Sequence, residues 1–302
     1  MKKLPKNQIV GWIAVALSTV IACVWAFWGI IENFHEGWFH ESFLMNIGLL
    51  LIQYLSPMFI FVFLCLLGLT YPRIGGVVHA LIGIILALVL FDWEDAVAMQ
   101  LIIIPMVLLG ILYWFGRPQP LRIAYGIAVG LPLLTLIVCG IEPIWRVAGR
   151  LNDGNLGERL LEGNGVRLVW APEGNGWTRE GVNWQEAVKR CQNLAEDGQT
   201  LKDVPQNIWR LPTVDEAVRS MSRHGVNSGG TWDEQTKTAK YNVRPDKESP
   251  LWNVYSQVIY WWTANEIDEN NAYIIVYDGK VWSRNKRFGP ASLGYRCVKP
   301  IK

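Results

Sequence analysis

Residues 7–141 constrain this chain more than any other feature: they are dominated by Ile, Leu, Val, Ala, Phe and Trp, with charges confined to short breaks. Five apolar runs stand out, at 9–31, 43–69, 75–91, 96–115 and 122–141. A helix needs about 20 apolar residues to cross a hydrocarbon core of about 30 Å. Backbone in lipid must satisfy its own polar groups, so the runs are expected to form an all-α transmembrane bundle of about five spans. The third, GGVVHALIGIILALVLF, is the shortest. Pro57, Pro105 and Pro132 lie inside runs and predict kinks there.

The first run follows MKKLPK, a basic start like that of a signal peptide. Its apolar stretch is too long for one, and no small-x-small cleavage site follows, so it reads as a retained anchor. Lys2, Lys3 and Lys6 precede the first run, Arg73 lies between the second and third, and Arg117 and Arg122 lie between the fourth and fifth. The alternate loops, ENFHEGWFHES and DWEDAVAMQ, hold no Lys or Arg. That asymmetry predicts a multi-pass cell-membrane protein with a cytoplasmic N-terminus and, after five crossings, an extracytoplasmic tail at 142–302.

That tail has an ordinary globular mixture, so the expected organisation is a membrane domain at 1–141, a connector at 142–164 and a soluble domain at 165–302. The formal net charge of +2 averages two unlike halves. No Lys/Arg block with interleaved aromatics appears, which argues against a nucleic-acid partner. Cys23, Cys65 and Cys139 fall in the apolar runs, where a thiol is usually a small packing residue. Cys191 and Cys297 are the pair left in the tail, and an oxidising exterior predicts one disulfide between them.

Along the tail, EPIWRVAGRLNDGNLGERLLEGNG reads as a connector with a short helix near Leu156–Leu161, and VRLVWAPEG as a strand. In NWQEAVKRCQNLAEDG, Trp184, Ala187, Val188, Cys191 and Leu194 recur at the spacing of one helix face, with Asn183 as cap and Gly198 as stop. NIWRLPTVDEAV predicts an extended lead-in and a second helix. Thr213 and Glu216 there make a Thr-x-x-Glu capping box, and Arg210 is placed to pair with an acid of the first helix, such as Glu186. Residues 223–257 are rich in Gly, Pro and polar side chains, and a long irregular segment of this kind is usually functional or mobile. VIYWWTA, NAYIIVYDGKVWSR and LGYRCVK return to strands, with Asp278-Gly279 a hairpin signal. Two helices, a long loop region and late antiparallel strands make an α+β domain.

The order NWQEAVKRC, NIWRLPTVDEA, IYWWTA, AYIIVYDG and LGYRCV resembles the bacterial domain family at the C-terminus of collagen-like adhesins. It is also similar to the formylglycine-generating enzyme, or sulfatase-modifying factor, family. The resemblance covers about 165–300 and implies a C-type-lectin-like fold, with Trp184, Glu186, Trp209, Arg210, Leu211, Pro212, Thr213, Glu216, Gly294 and Arg296 as scaffold residues. It implies the same Cys191–Cys297 bridge, from first helix to last strand. The enzymes of that family need a late pair of reactive cysteines for copper, whereas DGKVWSRNKRFGPASLGYRC holds only Cys297, at the structural position. Related iron enzymes use a histidine cluster, and the soluble part offers only His224. No nucleophile elbow, phosphate loop or His-Glu-x-x-His appears, so neither a catalytic residue nor a cofactor is assigned.

Binding is the expectation that remains. Trp261, Trp262, Tyr273 and Trp282 could form a stacking platform, with Asn265, Asp268, Asn270 and Arg284 as polar partners. Alternation in YWWTA sends Tyr260 and Trp262 one way and Trp261 the other, so at least one set belongs to the core. The loop NEIDENN offers oxygens to calcium, although an exposed turn with solvated acids is the commoner outcome. In the membrane half, Asn46, Gln53, His79 and Glu142 are the polar candidates, with no ionisable partner for a relay evident and no internal repeat. His35, Glu36, His40 and Glu41 cluster in the first outer loop. The leading expectation is a membrane protein displaying a non-catalytic, lectin-like domain toward a glycan or another membrane or secreted protein. The alternatives are a divergent formylglycine-generating-type metalloenzyme and an accessory subunit of a transport or assembly complex.

Overall fold

The apolar runs of the N-terminal half fold into helices in the computed structural model, which describes residues 5–89 and 103–301. Helix α1 (Lys6–Glu32) continues into a π-helical turn, Asn33–Gly37. Helix α2 (Phe43–Leu49) and a second π turn, Leu50–Tyr54, lead into α3 (Ser56–Thr70). Helices α4 (Pro72–Val89), α5 (Ile104–Phe115) and α6 (Leu121–Ala148) follow. Among the described residues three helical stretches, Lys6–Gly37, Pro72–Val89 and Leu121–Ala148, are long and apolar enough to span a bilayer. The pair Phe43–Tyr54 and Ser56–Thr70, bent by 55°, makes a fourth if counted as one span. The expected run at 96–115 is represented by α5 alone; residues 96–102, Lys2, Lys3 and the loop DWEDAVAMQ lie outside the described residues.

Pro57 follows directly on the 55° bend between Phe43–Tyr54 and α3, so a bend does occur where one was expected, with the proline in the first turn of α3, where a missing N–H costs nothing. Pro105 occupies the first turn of α5. Pro132 does lie inside α6, and Pro143 with it. Small residues bring the helices together. A Cβ on Gly75 would stand 2.4 Å from the Gly68 Cα, and one on Gly76 would stand 2.8 Å from the Gly110 carbonyl oxygen. Such close backbone approach is how helices associate where apolar burial gives no net drive.

The chain divides into two compact units, one of residues 1–37 and 44–145 and the other of 38–43 and 146–302. In the second unit, β1 (Arg159–Gly163) and β2 (Val166–Trp170) form a hairpin. The short helix expected near Leu156–Leu161 is therefore replaced by strand. The cause is Asn164-Gly165, both at positive φ (50° and 82°), which form the two-residue turn that matches strand twist. Helix α7 (Trp184–Asn193) is capped by the Asn183 side chain as expected. It stops at Leu194 rather than at Gly198, because Leu194 is fully buried and bridges Leu201 as an extended residue. Helix α8 (Val214–Ser220) carries the complete Thr213–Glu216 capping box.

Beyond α8, short strands β3 (Ser222–Arg223), β4 (Val226–Asn227), β5 (Thr231–Asp233) and β6 (Thr238–Lys240) form two small antiparallel pairs. Strands β7 (Tyr260–Glu266), β8 (Asn271–Val276), β9 (Val281–Asn285) and β10 (Leu293–Gly294) make a four-stranded sheet in the order β10-β7-β8-β9. Strand β11 (Val298–Pro300) joins β1 and β2 in a three-stranded sheet. The result is an α+β domain. Cys191 of α7 is disulfide-bonded to Cys297, one residue before β11.

Candidate functional site

The scaffold residues explain each other locally. The Trp184 indole donates to the Thr263 carbonyl (2.9 Å), and the Trp209 indole to that of Ala195 (2.8 Å). Arg210 does not pair with Glu186, the partner expected from sequence; Glu186 pairs with Arg190 one helical turn away (2.6 Å). Arg210 instead grips Glu216 with both terminal nitrogens (2.7 and 2.6 Å), folding back on its own segment while Leu211 is buried. The Pro212 carbonyl accepts from Ala264 N–H (2.8 Å), tying the phrase to β7. Gly294 leaves no room for a side chain: a Cβ would stand 2.8 Å from the Thr178 methyl group. Arg296 is fully buried, 3.6 Å above the Trp177 ring, and donates to the Ala171, Pro250 and Leu251 carbonyls.

Most of the expected ligand-binding residues are used by the fold. Trp261 and Trp262 are core, not platform: both faces of β7 are covered, and Trp261 stacks on Trp252 with ring centroids 3.7 Å apart. The Asn265 side chain accepts from Val214 N–H (2.8 Å) at the start of α8. Asp268 accepts from the Asn270 and Asn271 N–H groups (2.7 and 2.8 Å), closing its turn. Glu266 pairs with Lys286, whose amine also reaches the Asp268 carbonyl (2.7 Å). The carboxylates of Glu266 and Asp268 in NEIDENN thus face protein donors, and no group of three or more metal-ligating His, Cys, Asp or Glu occurs among the described residues. Tyr273 packs edge-on to Trp232. His224, an exposed residue at φ 51°, has its Nδ1 3.8 Å from Glu248.

Trp282 is the member of the set that opens onto a cavity. Lys280, just before β9, and Trp282 and Arg284 on it follow the two-residue period of an extended chain, and both cations lie by the indole, 5.9 and 5.6 Å from its centroid. The groove beside Trp282 has a volume of about 300 Å³ and runs between the β5–β6 pair and the turn from β8 to β9. Four residues, Tyr277 to Lys280, lie between β8 and β9, closed by the Val276 N–H donating to the Lys280 carbonyl (2.8 Å), with Gly279 at φ 86°. A Cβ there would stand 2.5 Å from the Tyr241 ring, whose hydroxyl donates to the Gly279 carbonyl (2.9 Å). Lys237, Arg244 and Lys280 rim the groove and Asp278 lies in its floor. The Asp278 carboxylate is 2% exposed; burial pushes its pKa up, but the hydrogen bond from Arg244 (2.7 Å) and the Lys280 ammonium (3.1 Å) hold it below its ordinary value. Arg244 and Lys280 are 58% and 57% exposed, so both cations also face solvent.

Two polar centres were not read from the sequence. In the second unit, the PDKESP stretch carries Asp246, Lys247 and Glu248 into the interior. Arg150 and Arg223 grip Asp246 at 2.9 and 3.0 Å, and Glu248 accepts from Leu151 N–H (2.8 Å). Burial first, and then the Arg150 charge, push the Lys247 amine well below the usual lysine range. In the membrane unit, Ser18, Cys65, His79 and Tyr113 are all buried. The Tyr113 hydroxyl bonds Ser18 (2.9 Å) and donates to the Cys65 sulfur (3.0 Å). The His79 ring lies 5.1 Å from the Tyr113 ring and its Nδ1 donates to the Gly75 carbonyl (2.7 Å). Periodicity shows none of this, because the four residues come from four helices.

Residues 1–119 match the family model described as Domain of unknown function (DUF7670), so the match lies on the membrane half. No curated protein and no solved structure matches the chain.

Proposed function

We propose that this is a five-span membrane protein displaying a C-type-lectin-like recognition domain on the extracytoplasmic side. In this reading α1, the bent α2–α3 pair, α4, α5 and α6 belong to the five crossings. The distribution of Lys and Arg among the loops supports an outside tail. The Cys191–Cys297 bridge supports the same side, since such bonds persist in oxidising compartments. The lectin-like assignment, with its kinship to the collagen-adhesin and sulfatase-modifying-factor domains, rests on the motif order together with a disulfide that ties the first soluble helix to the last strand.

The observation that carries a recognition role is the groove beside Trp282: an aromatic side chain and three partly exposed cations on a cross-linked scaffold, with no nucleophile–base pair in its lining. Catalysis of the sulfatase-modifying kind has no second cysteine here, and Cys297 is consumed in the bridge. The test is a glycan and peptide screen of the full-length protein in lipid nanodiscs, with cysteine-labelling topology in cells. Ligand binding with residues 142–302 outside supports the reading. A cytosolic tail, or a folded protein silent toward every ligand, overturns it. Stoichiometric copper or iron in the purified protein would favour the enzyme reading instead.

A further inference from the structure

We infer that the groove beside Trp282 takes a small acidic saccharide, one whose ring carries a carboxylate or sulfate. The inference rests on the recognition reading above and specifies its ligand. Charge is the first argument. Lys237, Arg244 and Lys280 line the groove with Asp278 as the one carboxylate in its lining, and Lys237 also pairs with Glu234. Asp278 is sealed in the floor, where it fixes Arg244 and Lys280 in place instead of confronting a ligand. The Lys280 ammonium, 57% exposed and 3.1 Å from Asp278, has three N–H donors to share with an oxyanion.

Size and shape make the second argument. About 300 Å³ is at the small end of ligand sites and fits one or two sugar rings better than a folded partner. Trp282 supplies an aromatic surface in the lining with Lys280 next to it, so the apolar side of a sugar ring can pack on the indole while its acidic substituent meets the ammonium. An acidic peptide adding to the sheet is the competing occupant. However, the edge strand β9 is five residues long and bears Arg284, with Lys280 just before it, and short charged edges discourage strand addition.

The experiment is titration of the full-length protein in nanodiscs with a heparin-derived tetrasaccharide, trigalacturonate, neutral maltotriose and a hexaglutamate peptide. An acidic saccharide is expected to bind at low salt and weaken as salt is raised, with maltotriose and hexaglutamate at least about tenfold weaker. Lys280→Gln and Trp282→Leu are each expected to weaken binding roughly tenfold or more, as loss of a charge-assisted bond or a stacking face would. Lys237→Gln alters an exposed side chain whose ion pair is with exposed Glu234, so it keeps the test valid if the other variants fold poorly. Preference for maltotriose, or variants without effect, overturns the acidic-saccharide assignment and leaves recognition standing. Equal binding of hexaglutamate overturns it in favour of a peptide. Silence toward all four probes and toward the wider glycan and peptide screen overturns both.

Discussion

Arg210 and Glu216 form a two-point ion pair, with Nη1 and Nη2 of the arginine 2.7 and 2.6 Å from the two carboxylate oxygens. The same carboxylate accepts from the Thr213 N–H (2.8 Å), while the Thr213 hydroxyl accepts from the Glu216 N–H (3.2 Å). One glutamate therefore caps α8 and anchors the extended segment before it. Thr213→Ala is expected to cost about 1 kcal/mol, the usual value of a cap. Glu216→Ala should cost more, since it removes the cap's second half and strands Arg210. Urea unfolding of the solubilised protein, followed by tryptophan fluorescence, measures both; equal midpoints for wild type and Glu216→Ala would refute this role.

The same residue sets a pH dependence. Burial pushes the Glu216 carboxyl up, but the Arg210 hydrogen bonds and the Thr213 N–H overcome that and bring it below its ordinary 4.5. Asp278 is likewise held below its ordinary 3.8, burial being outweighed by Arg244 and Lys280. A depressed folded pKa means the unfolded chain binds more protons in the window between the two values. The stability from each group is thus full above its unfolded value and lost as pH falls through its lower folded value. Unfolding midpoints should drop more steeply with acid below these ordinary values in wild type than in a Glu216→Gln, Asp278→Asn double variant. Parallel curves would contradict this.

The disulfide closes a sequence separation of 106 residues. In the chain-entropy account a loop of that order contributes about 4–5 kcal/mol by restricting the unfolded chain. Cys191→Ser with Cys297→Ser is expected to lower stability by several kcal/mol, within the general range of about 2–5 kcal/mol for native bridges. The wild-type protein should also run faster on a non-reducing gel than after reduction. Identical mobility would mean that the bridge does not form in cells.

How much of this was legible in sequence follows from which interactions are local. The Asn183 and Thr213 caps were readable because a cap joins residues three apart. The Asp278-Gly279 turn and the strands beside it were readable for the same reason. The β1–β2 hairpin was equally local, and the Asn164-Gly165 signal for it stood in the sequence; the segment was read as a connector with a short helix near Leu156–Leu161 instead. The ion pair of Arg210 was misassigned because its partner was sought on another helix, and the nearer Glu216 serves. Trp261 and Trp262 could not be told apart from a platform by pattern alone. Burial on both faces of β7 comes from Trp170, Trp252 and other distant segments. The groove shares this limit: Lys237, Arg244 and Trp282 meet only after the chain has folded.

Arg296 shows how such distant contacts carry stability. Its guanidinium is closed in by Trp170 and Trp177, and its Nε and Nη1 donate to three backbone carbonyls. Arg296→Met keeps apolar bulk but leaves those carbonyls unpaired, which should cost about 3 kcal/mol or more. Arg296→Lys should rescue little, since an ammonium cannot reproduce the planar fork. Chemical denaturation of the two variants checks this; a lysine variant as stable as wild type would show that charge alone suffices.

In the membrane half, the decisive residue is Tyr113. Its hydroxyl links Ser18 of α1 to Cys65 of α3, and its ring fills the space that Gly68 leaves open. Tyr113→Phe removes the links and keeps the ring, so the expected cost is modest, about 0.6 kcal/mol per contact and at most about 1.7, as is usual for polar contacts between membrane helices. Gly68→Val acts on the packing itself: its Cβ would stand 2.6 Å from the Tyr113 ring, too close without displacement of α3 from α5. The valine variant should therefore lose far more stability than the phenylalanine variant, read as the temperature at which each aggregates in detergent. The double variant Gly68→Val, Tyr113→Ala should recover part of that loss, because the smaller side chain makes room for the larger one. If the phenylalanine variant were the worse of the two, hydrogen bonding rather than close packing would be what holds these helices, and the account of the bundle given by its glycines would be wrong.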